Sequence, residues 1–438
     1  MVIKSLVELD QWVFEPGQVR LYQHLILHER QFSVEIENRI YKYISCTTDD
    51  VLIDGEHIYP GLSNRLLLQR VDTGNYYILA SYGVAGGFLL VEGKPSAQIM
   101  EIPSECVSKW CTKKAKPFVV AGFGQFGHFI WNNLPAMLSY PDKNIDVVQR
   151  MNHRIIKLSS LDNFTDIEPT RERPCLILGS IYVTEQTRLT LHKYHDIIDP
   201  PGSDENVISL GIRGLRYRGI TNEYEFYCEL LKHINNLNIP VTVLIDGMTT
   251  NTCIDPENIY HGWLNPLAPH TIARATLRKD PNVGKKDDIH DMTIKLLDVI
   301  GKKYKNIVAI NIHGMDFAEW YPVANKTTYY VTHIGTMQHK YGWYLDKPGY
   351  VLGRNAPAFS NWLPKHGHSK HPQPVFSLRT YFKSIQSKDS PLPSRPKWVY
   401  RNSPMELTNL SAVVQQCMTD MKKYIKKAVT STASDNCS

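Results

Sequence analysis

The sequence predicts an α/β protein whose strands form open, parallel, doubly wound sheets. Short apolar runs alternate with segments of helical periodicity between residues 117 and 355, which is the pattern of parallel strands covered by helices on both faces. The chain of 438 residues is long enough for two domains. A hydrophobic content of 42%, with 24 Tyr and 8 Trp, indicates a globular protein rather than a disordered one.

Residues 1–105 are predicted to form an antiparallel β-rich element. Strand-like runs occur at residues 76–81 and 87–92, and turn signals separate them at Asp54-Gly55, Pro60-Gly61 and Gly86-Gly87. The first ten residues lack the pattern of a signal peptide, and no run of about 18 apolar residues follows. We therefore expect a cytoplasmic protein.

Charge and cysteine content narrow the class of partner. The eight cysteines are scattered without a CxxC pair, which predicts free thiols in a reducing cytosol. A net charge of +6 suits anionic ligands or an anionic membrane surface. It is too weak, in a chain without a dense Lys/Arg stripe, to predict a nucleic-acid partner.

Two α/β units follow the N-terminal element. In the first, residues 106–203, the predicted buried strands are 118–121, 145–148 and 175–178; in the second, residues 204–355, they are 207–211, 241–245, 307–312, 329–332 and 350–352. Amphipathic helices separate several of them. One is predicted to begin near Asn222, since Asn222 and Glu225 have capping-box spacing.

Residues 356–438 are predicted to form a surface crossing and a C-terminal helix. Seven prolines lie within 356–398, so that part is predicted to be a long connection rather than a domain. Apolar residues from Leu407 to Ile425 then repeat at helical spacing, with four lysines near the end. This helix is expected to pack on the N-terminal domain or, alternatively, to contact an anionic membrane surface.

Three glycines after the first predicted strand of the first unit, Gly122, Gly124 and Gly127, have the spacing of a dinucleotide fingerprint. The next strand, however, leads to Gln149 and Arg150 instead of the acidic residue that holds ribose hydroxyls. Arginine suits a 2′-phosphate, so an NADP site remains an alternative, as does a purely structural turn. Pro135 is expected to kink or end the following helix.

The same segment supports a second interpretation. Residues 127–135, Gly-His-Phe-Ile-Trp-Asn-Asn-Leu-Pro, resemble a segment of glycosyltransferase family 61 and of related bacterial capsule and lipopolysaccharide glycosyltransferases. The resemblance implies a GT-B enzyme of two Rossmann-like domains facing a cleft. It also implies that His128 is the catalytic base, with Gly127, Trp131 and Asn132 near the acceptor. Histidine suits that role because its ordinary pKa lies near working pH.

A second segment carries the resemblance in the other unit. His333, Gly335 and Thr336 follow a predicted strand and resemble the H-x-G-[AST] segment of these transferases, which implies contact with the sugar nucleotide. N–H groups at a helix start stabilise phosphates, and glycine permits close approach. Gln338, His339 and Lys340 follow as further candidates, with Lys340 expected on the same helical face as Thr336.

A third segment completes the resemblance. Arg213, Arg216 and Arg218, followed by Asn222-Glu223, resemble the interdomain "R-x-x-x-R … N-E" start of the transferases' second domain. Arginines on a loop at a sheet edge can hold a diphosphate through bidentate contacts. Asp246-Gly247 fits the acidic-Gly motif of bacterial sialyltransferases poorly.

The resemblance implies an inverting glycosyltransferase of bacterial surface polysaccharide synthesis, cytoplasmic or peripheral at the inner membrane. The donor is a nucleotide-sugar and the acceptor a glycan or lipid-linked glycan. No cofactor is expected, and the lack of an Asp-x-Asp cluster predicts metal independence. Asp142 and Asp146 are weaker candidates for the base. Two alternatives remain open: an NADP-dependent oxidoreductase and a non-catalytic carbohydrate-binding protein. A transition-metal site at His366, His368 and His371 is less favoured.

Overall fold

The computed structural model describes residues 2–3, 33–48, 63–82, 98–109, 117–121, 134–138, 144–149, 156–168, 173–177, 183, 185–195, 206–213, 220–247, 288–315, 317–333, 336–352, 375–376, 382–384 and 405–425. The chain divides into two compact units. The first comprises Met1–Tyr194 and Thr250–Val283, and the second comprises His195–Thr249 and Gly284–Ser438.

The first unit contains a six-stranded N-terminal sheet in sequence order. Its strands are β1 (Val2–Ile3), β2 (Ser33–Ile36), β3 (Arg39–Thr48), β4 (Ser63–Arg70), β5 (Tyr76–Tyr82) and β6 (Gln98–Ile102). All neighbouring pairs from β2 to β6 are antiparallel, and β1 joins β2 in parallel. Glu37 and Asn38 connect β2 to β3 with positive φ at both residues, as a two-residue hairpin turn requires. The predicted antiparallel element is confirmed.

A parallel sheet follows in the same unit. It consists of β7 (Phe118–Ala121), β8 (Ile145–Gln149), β9 (Phe164–Asp166) and β10 (Cys175–Ile177), in the order β10-β7-β8-β9. Helices α1 (Leu134–Leu138) and α2 (Glu185–Tyr194) belong to it. Pro135 lies within α1. The chain thus stays helical past Pro135 to Leu138, while the part before Leu134, where a kink would lie, is outside the described residues.

The second unit is built on a six-stranded, all-parallel sheet. Its strands are β11 (Asn206–Gly211), β12 (Val241–Asp246), β13 (Ile307–Asn311), β14 (Tyr329–His333), β15 (Gly349–Leu352) and β16 (Val375–Phe376). Their order is β13-β12-β11-β14-β15-β16. The order reverses between β11 and β14, so these neighbours form a topological switch point. The predicted α/β class with parallel sheets is confirmed.

Helices cover both faces of this second sheet. They are α3 (Glu223–Asn235), α4 (Asp288–Lys303), α5 (Phe317–Ala324), α6 (Thr336–Gln338), which continues as a π-helical turn over His339–Tyr344, and α7 (Leu410–Met421). Alternate strand residues, such as Leu210 and Val331, pack against α3, α4 and α7. On the other face, Tyr330 stacks on Tyr341 with ring centroids 5.4 Å apart. Because successive side chains of a strand point to opposite faces, each face of the sheet carries an apolar layer.

Asn222 does not form the predicted capping box. It precedes α3 without a side-chain cap bond. Its amide instead donates to the Leu407 carbonyl at 2.9 Å and accepts from the Leu407 N–H at 3.0 Å. Leu407 belongs to β18 (Met405–Leu407), which pairs with β17 (Phe382–Ser384). The Asn222 side-chain amide therefore bonds β18 instead of capping α3.

The C-terminal segment also differs from its prediction. Residues of the proline-rich connection add β16 to the second sheet and β17 to a small antiparallel pair. The apolar stripe of α7 packs on α3 of the second unit. Lys422 and Lys423 are exposed at its end. Among the described helices, none has the length and apolar character needed to cross a bilayer.

Candidate functional site

The carboxyl ends of β11 and β14 define the candidate site. Ligands of open α/β sheets bind beyond the carboxyl ends of the strands at the switch point. β11 ends at Gly211 and leads to Arg213, while β14 ends at His333. A Cβ added to Gly211 would clash with the hydroxyl of Thr332. Glycine is therefore needed here, because the two strands approach each other closely.

A buried Glu–His pair lies at this edge. His333 Nε2 is 2.6 Å from Glu223 Oε1, and the side chains are 1% and 0% exposed. The backbone N–H of Arg213 donates to the same oxygen at 3.1 Å. Glu223 is the first residue of α3, where the helix dipole favours a negative charge. One carboxylate thus links the end of β11, the start of α3 and the end of β14.

The pair determines which nitrogen of His333 is available. A carboxylate only accepts hydrogen bonds, so beside such a partner Nε2 is the donating nitrogen and Nδ1 is the one left for another group. Within the described residues, Nδ1 of His333 has no hydrogen-bond partner. Nδ1 can accept a proton when the ring is neutral, or donate to an anionic oxygen when it is charged. The arrangement suits proton transfer or anion binding.

Asp246, at the end of β12, organises a second buried cluster. Its Oδ2 accepts from Trp320 Nε1 at 2.8 Å and from the Tyr341 hydroxyl at 2.6 Å. Its Oδ1 lies 3.4 Å from Lys340 Nζ, which is also 4.7 Å from the centroid of the Trp320 ring. Burial lowers the pKa of Lys340, and the Asp246 charge opposes that shift. This cluster fixes the π-helical turn to the sheet.

Lys340 belongs to the π-helical turn. The sequence places it one α-helical turn after Thr336, but the chain is π-helical from His339 to Tyr344. The ammonium group is only 1% exposed and faces Asp246. Next to it, the His339 ring stacks on Trp343 at 3.8 Å.

Two buried polar side chains near the switch point have no partner within the described part of the chain. They are the amide of Gln338, both atoms of which are unbonded, and the hydroxyl of Thr332. Each residue is at most 1% exposed. Buried polar groups are usually hydrogen-bonded, since leaving them unpaired costs free energy. These two groups are candidates for contact with a ligand.

The structure brings together part of the predicted site. Arg213 and His333 meet at Glu223, and Thr336, Gln338, His339 and Lys340 follow β14 closely in the chain. Other predicted residues lie outside the described residues: Gly122, Gly124, Gly127, His128, Trp131, Asn132, Asp142, Arg216, Arg218, Gly335, His366, His368 and His371.

Asp146, a weaker candidate for the base, lies near the amino end of β8 and not at its carboxyl edge. It forms an ion pair with Arg173 at 2.6 Å. No group of three or more His, Cys, Asp or Glu residues among the described ranges could hold a metal ion.

Sequence analysis missed the link between Glu223 and His333 and the partners of Asp246. The available signal was positional, because Asp246 and His333 both end buried strands of one parallel sheet. Side chains at the carboxyl ends of such strands converge at one edge. Searches against protein-family models, curated proteins and solved structures gave no match to this chain.

Proposed function

We propose that the chain is a glycosyltransferase that moves a sugar from a nucleotide-sugar donor to a glycan or lipid-linked glycan acceptor. The observation that supports this most is the buried Glu223–His333 pair at the carboxyl ends of β11 and β14. Arg213 follows β11 in the chain, and Gln338, whose amide is unpaired within the described residues, follows β14. Together these residues combine positive charge, a proton-transfer group and a neutral recognition group, which are the requirements for binding a nucleotide diphosphate ester.

Strand order supports a GT-B type of enzyme with two Rossmann-like domains. Counted from the first strand of each parallel sheet, the first sheet has the order 3-2-1-4 and the second 3-2-1-4-5-6. The latter is the order of doubly wound nucleotide-binding sheets. In this proposal, the second sheet binds the donor and the first unit supplies the acceptor side, including His128.

The donor's diphosphate would lie against the carboxyl edge of β11 and β14. Arg213, together with Arg216 and Arg218, which follow β11 in the sequence, would neutralise its charge. His333 would contact a phosphate oxygen through Nδ1, while Glu223 holds the ring in place. These contacts would strengthen as negative charge develops on the leaving group. His128 would take the proton from the acceptor hydroxyl.

The first experiment tests whether His333 contributes to nucleotide binding. Thermal unfolding is measured with UDP, GDP, dTDP and CMP, on wild type, His333→Ala and His233→Ala. His233 is a matched control because it pairs with Glu229 at 3.3 Å on the surface of α3. A nucleotide at 100 times its Kd stabilises the folded state by about 2.7 kcal/mol.

The proposal predicts that at least one nucleotide raises the Tm of wild type and His233→Ala, and that His333→Ala reduces this shift. It is contradicted if no nucleotide in the panel raises the Tm. It is also contradicted if the shift is the same in all three proteins. A non-catalytic carbohydrate-binding protein would give the first of these results.

The second candidate function is an NADP-dependent oxidoreductase. One observation favours it: β7 precedes Gly122, Gly124 and Gly127 and lies beside β10, at the switch point of the first sheet. A dinucleotide fingerprint belongs at that place. Against it, the amide of Gln149, at the end of β8, bonds the backbone of Ile156 and Leu158, so it is not free for a ribose. Fluorescence titration with NADPH separates the two functions.

A further inference from the structure

Gln338 is the most unusual polar residue of the second unit. Its side chain is fully buried, and neither its Oε1 nor its Nε2 has a hydrogen-bond partner among the described residues. It ends α6, whose Met337 side chain lies over the carboxyl end of β11, 3.4 Å from a Cβ built on Gly211. The backbone of α6, to which Gln338 belongs, therefore lies close to the switch point.

The neighbouring chain holds Gln338 in this position. The π-helical turn that follows it is anchored by Lys340 and Tyr341, both of which contact the Asp246 carboxylate. π-Helical turns within helices occur frequently at functional sites. Two buried anchors therefore follow Gln338 within three residues and fix its backbone beside β14.

We infer that the Gln338 amide recognises the base of the bound nucleotide, through an edge that carries a hydrogen-bond donor beside an acceptor. This inference rests on the proposed function and specifies its ligand. The amide presents an acceptor oxygen and a donor NH₂ group side by side, and Gln makes such bidentate contacts with nucleobase edges.

The phosphates of the donor cannot take this role. A phosphate oxygen only accepts, so it would pair with Nε2 of Gln338 and leave the buried Oε1 unsatisfied. In the proposed function, Arg213 and His333 serve the diphosphate. The neutral amide therefore complements the neutral, planar part of the ligand.

The test compares Gln338→Met with Gln149→Met. Methionine has a similar length and lacks the hydrogen-bonding atoms. Gln149 is a matched control because its amide is satisfied, donating to the Ile156 carbonyl at 2.8 Å and accepting from the Leu158 N–H at 2.8 Å. Without ligand, Gln149→Met should lower the Tm, whereas Gln338→Met should not, because no protein hydrogen bond is lost.

Ligand binding is measured by calorimetry with UDP, GDP, dTDP, CMP and inorganic pyrophosphate. For Gln338→Met, we expect affinity for the nucleotide that binds wild type best to fall roughly 10- to 100-fold. Affinity for pyrophosphate, which has no base, should be unchanged. This retained binding also shows that the variant is folded.

Three results would overturn the inference. Equal nucleotide affinity in wild type and Gln338→Met would overturn the inference but not the proposed function. The same holds for a loss of Tm in Gln338→Met comparable to that in Gln149→Met. A wild-type protein that binds none of the nucleotides would overturn the proposed function as well.

Discussion

Replacement of Asp246 by alanine should destabilise the second unit strongly. The fully buried carboxylate accepts from Trp320 and Tyr341 and faces the ammonium group of Lys340 at 3.4 Å. Removing one partner of a buried ion pair costs about 3–5 kcal/mol, because the remaining charge stays buried without compensation. We therefore expect Asp246→Ala to lower the free energy of unfolding by about 4 kcal/mol.

A double-mutant cycle with Lys340→Met isolates the charge contribution. In the double variant no unpaired charge remains, so its loss of stability should be smaller than the sum of the two single losses by about 1–3 kcal/mol. The assay is urea denaturation followed by tryptophan fluorescence. Asp298→Ala is the matched control, since Asp298 pairs with Lys302 at 2.8 Å on the exposed surface of α4 and should cost less than about 1 kcal/mol. Additive losses, or an Asp246→Ala loss as small as the control's, would refute this reasoning.

Three further predictions concern the same unit. Glu223→Gln should weaken nucleotide binding by about tenfold, or 1.4 kcal/mol, because the carboxylate that holds the His333 ring and accepts from the Arg213 N–H is lost. Glu229→Gln is the surface control, and equal calorimetric affinities would contradict this role. Gly211→Ala should lower the free energy of unfolding by about 1–3 kcal/mol through its clash with Thr332. Gly301→Ala, in open space within α4, should raise it by about 0.5–1 kcal/mol. Urea denaturation that ranks the two variants in the reverse order would be inconsistent with the close approach of β11 and β14. Burial raises the pKa of four tyrosines well above its ordinary value of 10. The stability that they contribute below pH 10 is therefore lost as the pH rises further, and their ionisation should accompany unfolding. Tyrosinate absorbance that rises fully before the circular dichroism changes would contradict this prediction. These residues are Tyr227, Tyr330, Tyr341 and Tyr344.

The buried strands could be predicted because their sequence signal is local. Phe118–Ala121 has the predicted bounds, and β12 and β14 each extend one residue beyond theirs. A strand covered on both faces is a continuous apolar run, which is visible in one sequence. β9 was not predicted, because only Phe164 of its three residues is buried. β16 was missed because prolines surround it in the sequence.

The site was less predictable, because its contacts join distant parts of the chain. His333 was predicted from its place after a strand, but its partner Glu223 is 110 residues away. Asp246 meets Trp320 and Tyr341 across 74 and 95 residues. Asn222 likewise gave a local capping signal, yet its partner is 185 residues distant. Spacing within a segment cannot encode such pairs.

The position of the bound nucleotide tests the central claim most directly. The measurement is photo-cross-linking with an azido analogue of the nucleotide that binds best, followed by mass-spectrometric mapping of the labelled peptides. The account predicts labels in residues 211–218 and 332–340, at the carboxyl edge of β11 and β14, and protection of both by unlabelled nucleotide. Labels confined to residues 122–135 would contradict it and favour a dinucleotide site in the first unit.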